Sequence, residues 1–207
     1  LLQVQPESVL RVTMPHCNVP RAEEMLPGDS SRALAMGTRE MAGLVESAST
    51  EVVEEALFLY EIVDPARPGV RQIGLGGMVP TDDIRTEATP GGVIIRNEGI
   101  REEKARGRAD LIEATGAIIG TVNLSVDDVE NKLLNALLDY ADDRPCDFEA
   151  ADHDDGSAHR IWLVTAVDEI ACLREVLAVE SHAYVADGNH RSAAAAMRGT
   201  GEFLTVF

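Results

Sequence analysis

The chain has 207 residues, 45% hydrophobic but only 4% aromatic, so it can bury a substantial core and must build it mainly from Ala, Val, Leu and Ile. Its 36 acidic against 18 basic residues leave a formal net charge of -18, a field that repels phosphate backbones and anionic membranes and argues against duplex DNA as a partner, a hidden basic patch aside. No stretch approaches the ~18 consecutive apolar residues of a bilayer span, and the dispersed Cys17, Cys146 and Cys172 argue for reduced thiols, with Cys17 and Cys172 packed, over a disulfide framework or a zinc site.

Residues 1–6 show no charged leader followed by an apolar run. Residues 8–14 alternate and predict a short strand, and residues 15–29, rich in Pro and acid, read as a loop. Ser30-Ser31 predicts the cap of a helix running to about Ser47. Residues 56–63 and 70–79 predict a hairpin with a long connection. Gly74, Gly76 and Gly77 fall inside its second strand, where a close backbone approach or a bulge explains them better than a phosphate loop, which needs its glycines between strand and helix.

Residues 93–98 form the next extended segment, and residues 101–114 a charged helix stopped by Thr115-Gly116. A strand is expected over 118–124 and an amphipathic helix over 127–140, with Val129, Leu133, Leu134, Leu137 and Leu138 on its apolar side. Residues 146–150 and 160–165 predict strands around an acidic loop at 152–156. Residues 168–178 predict a helix, 184–186 a short buried strand, and 192–197 an Ala-rich helix. Strands and helices interleave, so the class is α/β, a mixed β-sheet with flanking helices. Residues 1–207 read as a single domain, with 1–50 as a candidate N-terminal lobe. The absence of an initiator Met and the strand-like ending at 203–207 read as a piece of a longer chain.

The richest chemistry lies where the last short strand meets the Ala-rich helix, at Asp187-Gly188-Asn189-His190-Arg191. Free amides at a helix start, with the macrodipole, make a seat for an anion. Gly188 permits the tight turn, Arg191 offers a fork that matches phosphate oxygens, and His190 can donate a hydrogen bond or move a proton. Asp187 can cap the helix or hold a metal or a ligand hydroxyl. An equally simple reading makes Asp187 a cap and His190 and Arg191 surface residues.

Ala186-Asp187-Gly188-Asn189-His190-Arg191 closely resembles the Ala-Asp-Gly-His-His-Arg signature of the domain of unknown function family 1015. Other pieces match in order. Ala56-Leu57-Phe58-Leu59-Tyr60 resembles the family's Pro-Ala-Leu-Tyr-Leu-Tyr strand, residues 74–83 its Gly-rich strand ending in Asp-Asp, and Arg96-Asn97-Glu98 its Arg-His-Glu segment. Glu102, Arg108 and Ala114-Thr115-Gly116-Ala117 resemble the helix and stop that follow, and His159-Arg160-Ile161-Trp162 its His-x-Leu-Trp strand. Two departures stand out: Asn189 and Asn97 each replace a histidine of the pattern, which removes two imidazoles. The turn is also similar to the Gly-x-x-Arg turn of the ParB-like superfamily, which includes sulfiredoxins and free serine kinases. That similarity implies a ParB/sulfiredoxin-like strand-turn-helix site with a nucleoside triphosphate on Gly188, Asn189, His190 and Arg191.

Phosphoryl chemistry also needs a carboxylate that holds magnesium or orients a nucleophile. Glu98 is the candidate, as metal ligand or base, with Arg96 beside it on the phosphate. His190 and Asp187 complete the catalytic set. Glu102, Glu103 and Lys104 read as a solvated helix start, and Asp152-His153-Asp154-Asp155 as a mobile surface loop. His159 and Trp162 read as structural, and His182 as a surface residue. The expectation is a cytoplasmic protein that binds a nucleotide or small phosphorylated ligand, with magnesium-dependent phosphoryl transfer or nucleotide hydrolysis as its reaction. A non-catalytic module for a phosphorylated ligand or protein partner is the alternative. No zinc, haem or flavin is expected, nor DNA or membrane as partners, and the sequence leaves the oligomeric state open.

Overall fold

The computed structural model describes residues 5, 7–152 and 154–207. The reading of the first six residues and the His153 member of the acidic loop fall partly or wholly outside these. Among the described residues eight strands form one mixed sheet in the order β3-β7-β4-β8-β2-β1-β6-β5. The strands are β1 (Leu57–Val63), β2 (Gln72–Pro80), β3 (Ile94–Arg96), β4 (Val122–Ser125), β5 (Phe148–Ala151), β6 (Ala158–Val164), β7 (Ala183–Asp187) and β8 (Glu202–Val206). β3 runs parallel to β7 and β4 parallel to β8, while the other neighbours are antiparallel. The expected mixed α/β class is therefore the observed one.

Side chains alternate across a strand, so residues paired in register share a face. Leu59 faces Leu75 and Trp162, Val79 faces Phe203, and Val122 faces Thr205. All the fully buried strand side chains lie on this one face. The helices α4 (Lys132–Asp142) and α5 (Val167–Leu177) cover its β1–β2–β6 half, packing Leu133, Leu137, Ala141 and Leu173 on Leu59, Leu75, Trp162 and Val164. The helix α6 (Asn189–Arg198) covers the other half, where Ala195 meets Val122, Val185 and Phe203. The expected alanine packing holds: Ala193, Ala194 and Ala195 are buried, bringing this helix close to the sheet. α3 (Glu102–Thr115) lies along α6, and α2 (Ser31–Val45) along α3, with α1 (Leu10–Thr13) against α2. Arg198 ties α6 to α3 through Asp110, Glu113 and the Ala109 carbonyl. The opposite sheet face carries half-buried Tyr60, Ile62 and Leu163 and exposed Met78 and Tyr184.

Local signals explain most boundaries. Ser30 caps α2 by accepting the Ala33 amide at 3.2 Å, and Gly116 ends α3 at a φ of 65°. The Phe58 ring lies over Gly76, where a Cβ would meet it at 2.0 Å, so the glycines of β2 serve close approach. Several expectations are corrected. Residues 8–14 give the short helix α1, because Val12 buries against α2 and the alternation is too short to distinguish the two periods. The 127–140 helix starts at Lys132, since the Asp128 carboxylate accepts the Leu133 and Leu134 amides at 3.0 and 2.9 Å and so fixes the helix start; Val129 is left 86% exposed. Cys172 is exposed, on the outer side of α5, while Cys17 is half-buried. Residues 118–121 do not join β4; they leave the sheet and line a cleft described below. Among the described residues, no helix is long and apolar enough to cross a membrane.

Candidate functional site

The parallel pair β3–β7 delivers two segments to one end of the sheet. Arg96 pairs in register with Val185, so Asn97 and Glu98 leave β3 beside the point where β7 gives way to α6. Gly188 makes that junction at a φ of 98°, and a Cβ there would stand 3.2 Å from the Val122 Cα and from Nε of Arg191. The backbone conformation and the closeness of β4 both favour glycine at this position. The Gly188 carbonyl accepts the Arg191 and Ser192 amides at 2.8 and 2.9 Å. No side chain caps α6, which corrects the capping role expected of Asp187. The amides of Asn189 and His190 meet no acceptor among the described residues.

Arg191 is held in place. Its guanidinium donates to the Thr121 carbonyl and to the Asp187 carboxylate, leaving the side chain 31% exposed against 75% for Asp187. It neither points into bulk water nor disappears into the core. On the other side of Gly188, Asn189 is buried and its Nδ2 donates to Asn97 Oδ1 at 2.9 Å and Glu98 Oε1 at 3.2 Å. Its Oδ1 is buried without a hydrogen-bond partner, an uncompensated acceptor at the mouth of the helix. The two asparagines that stand where the resembled pattern has histidines are thus bonded to each other. His190 Nε2 accepts the Arg101 amide at 3.0 Å, which joins the start of α3 to the start of α6. That bond commits Nε2 of His190 to holding the two helix starts together.

The expected residues therefore gather in two groups around Gly188: Asn97, Glu98, Asn189 and His190 on the β3–α3 side, and Asp187 and Arg191 on the β4 side. Arg96 is half-buried at the end of β3, on the sheet face that α6 covers. Among the described residues no three His, Cys, Asp or Glu side chains converge as a protein-only metal cage would require. Glu98 could hold a metal only together with a ligand's oxygens and water, which is how magnesium is commonly bound. Glu102 pairs with Arg106 on the exposed side of α3, as a solvated helix start should. His182 is exposed at the start of β7, away from the turn. Trp162 is buried and donates to the Arg144 carbonyl at 3.2 Å; His159 stacks on Tyr60 and bonds its hydroxyl at 2.6 Å. Both are structural, as expected.

A cleft of about 920 Å³ opens beside Arg191, between α3, α6, the 117–120 segment and the N-terminal segment. Sequence reasoning missed it because its walls come from stretches of chain far apart in sequence, from Thr13 to Leu204. Lys104, Gly107, Arg108, Leu111 and Ile112 line it from α3, and Arg191, Ala194 and Ala195 from α6. One signal was present: Lys104 is one of only two lysines in the chain.

The sequence matches the family described as protein of unknown function (DUF1015) over residues 1–200. The chain belongs to this family. The match spans both groups around Gly188, strands β1 to β7 and the cleft walls apart from Phe203 and Leu204 of β8. No curated protein and no solved structure matches the chain.

Proposed function

We propose that the turn at residues 187–191 binds a phosphorylated small molecule, a nucleoside triphosphate with magnesium being one form that the turn accommodates. The observation that carries this reading is the α6 start: two amides without a protein acceptor, next to a guanidinium already fixed by Thr121 and Asp187. An anion there gains the macrodipole and charge-assisted hydrogen bonds without having to order a loose arginine. The carboxylates of Asp187 and Glu98 flank the same turn. They would repel a bare phosphate, and a magnesium ion bound with one or two carboxylates plus phosphate oxygens removes that conflict. In this arrangement Glu98 holds the metal or orients the attacking group, Gly188 and Asn189 offer backbone, and Arg96 and Arg191 neutralise developing charge. His190 keeps the two helix starts together. The likeness of the turn to the ParB-like Gly-x-x-Arg turn agrees with this reading, and a nucleotide-dependent role would place the protein in the cytoplasm, where its cysteines stay reduced.

Phosphoryl transfer or nucleotide hydrolysis is the reaction these parts fit. A second reading, a non-catalytic module for the same ligand or for a protein partner, is favoured by one observation: Asn97 and Asn189 bond each other, and His190 is occupied by the Arg101 amide, so no free imidazole faces the turn. Titration calorimetry with ATP or CTP and magnesium tests binding. Arg191→Ala should weaken it by about 1.5–3 kcal/mol, roughly 10- to 150-fold, the scale of a charged hydrogen bond. Absence of nucleotide binding in the intact chain removes the nucleotide form of the proposal, and absence of binding by every phosphate ester tried removes the phosphate reading itself. Nucleotide that binds and stays intact over hours selects the module over the enzyme.

A further inference from the structure

The cleft beside Arg191 is graded along its length. Lys104, Gly107, Arg108, Leu111 and Ile112 recur at helical spacing and form one stripe on α3. The stripe is cationic at the α3 N-terminus and apolar toward its C-terminus. α3 and α6 start side by side, because the Arg101 amide bonds His190, and they remain paired to their far ends through Arg198 and Asp110. Arg191, Lys104 and Arg108 therefore stand toward one end. Leu111 and Ile112 continue into an apolar stretch closed by Ile118, Ile119 and Phe203. Among the described residues neither Lys104 nor Arg108 has an ion-pair partner, in a chain of net charge -18. Glu103 and Asp29 also border the opening, so the cationic end is local rather than general.

The geometry points to a ligand with a phosphate head and an apolar body: the head is taken by Arg191, in the first turn of α6, with Lys104 and Arg108 on the facing wall, and the body fills the cleft toward Leu111, Ile118 and Phe203. This rests on the phosphate reading of the turn and names the substrate class for it, a soluble phosphate ester of an aliphatic or prenyl-like group. A cleft of about 920 Å³ lies within the usual range of small-molecule sites. A nucleotide would leave its apolar part largely unused, whereas burying a hydrocarbon chain gains affinity with each methylene.

Gly107 gives a clean test. It lines the middle of the stripe, and a Cβ added there meets nothing within 4 Å. Leucine also forms helix better than glycine, so Gly107→Leu should fold at least as well as the parent while occupying the path of the apolar body. Calorimetry on the full chain would compare methyl phosphate with octyl phosphate, kept below its aggregation concentration, and Mg-ATP alongside. Octyl phosphate is expected to bind at least tenfold tighter than methyl phosphate. Gly107→Leu, at the passage from the cationic end to the apolar stretch, should erase that advantage by weakening octyl phosphate far more than methyl phosphate, while Arg191→Ala weakens both alike. Equal affinity for the two esters overturns the inference while Mg-ATP binding keeps the phosphate reading intact. An octyl advantage that survives Gly107→Leu also overturns it, because the chain then lies elsewhere. If none of the three probes binds, the phosphate reading fails and the inference with it. Co-sedimentation with vesicles containing phosphatidic acid, lost in Gly107→Leu, would assign the cleft to a membrane lipid and overturn the soluble-ligand assignment.

Discussion

Two arginine–carboxylate pairs stand toward opposite ends of the sheet and use the same chemistry differently. In the β1–β6 half, the Glu61 carboxylate is 1% exposed and meets Arg71 at 2.5 Å and Arg160 at 3.5 Å, with Arg71 extending to Asp142 on α4. The bond from Glu61 holds the Arg71 guanidinium above its usual pKa. At the α6 turn the exposures are reversed: Asp187 lies 75% exposed and holds a guanidinium that is two-thirds withdrawn. In the first pair the carboxylate is the buried member and the cations serve it. In the second the cation is the buried member and the carboxylate braces it from outside. A buried anion ringed by guanidiniums is a structural device, because its charge is already neutralised. A braced guanidinium beside unclaimed amides retains capacity for an external anion.

The largest expected effect comes from the first pair. Glu61→Ala leaves two guanidiniums around a cavity and should cost roughly 3–5 kcal/mol in urea unfolding, toward the lower figure because Arg71 and Arg160 are each over a third exposed and can rehydrate. Asp187→Ala should change stability by less than about 1 kcal/mol, as for an exposed pair. Equal losses at the two sites would break the comparison and turn the α6 turn into another brace. Next in size is Gly188→Val. With a φ of 98° and the Val122 Cα at 3.2 Å from a built Cβ, a β-branched residue should cost on the order of 2–3 kcal/mol. Unfolding midpoints would show this, and a neutral result would mean that the junction relaxes easily and that its shape is not maintained for a ligand.

The sheet was largely legible, and the reasons are physical. The 56–63 and 70–79 runs carry β-branched and aromatic residues around a Pro-Gly turn, and Ser30 and Gly116 are local start and stop signals whose cause lies within a few residues. The boundary errors have non-local causes: Val12 is helical because of α2, and α4 begins late because Asp128 reaches forward over five residues. At the site, the chain displayed Gly188 and Arg191 by their order between strand and helix. It could not show that Asn189 bonds Asn97 across 92 positions, or that Arg191 is claimed by Thr121 from 70 positions away. The cleft was least visible, since Lys104 and Arg108 gain meaning only when 117–120 leaves the sheet.

The asparagine pair sharpens the comparison from the neutral side. Asn189 donates to Asn97 and to Glu98, both exposed and able to turn to water, so Asn189→Ala should cost only about 0.5–1.5 kcal/mol, the net worth of such a bond. A double-mutant cycle with Asn97→Ala should recover about 0.5–1.5 kcal/mol of coupling. Zero coupling would mean that the Asn97–Asn189 bond does not hold the end of β3 to the turn.

The smallest effect concerns Tyr60, one residue from Glu61 but on the opposite sheet face. Its hydroxyl bonds His159 Nδ1 at 2.6 Å, and the rings stack at 5.9 Å with planes 14° apart. Burial raises the Tyr60 pKa above its ordinary value near 10. The folded state thus prefers the neutral phenol more than the unfolded state does. Its contribution is complete below about pH 10 and is lost as pH climbs through the folded value. Tyr140 shifts in the same direction, burial again being the main cause, and should share the loss. Tyr60→Phe keeps most of the ring contact but loses the bond, about 0.5–1.5 kcal/mol at pH 7. The decline in unfolding midpoint as pH rises above the ordinary tyrosine value near 10 should become shallower in that variant without vanishing. An unchanged alkaline slope would mean that the phenol ionises as freely in the fold as in the open chain. The β1–β6 half would then rest on Glu61 and its guanidiniums, with no titrating contribution from Tyr60.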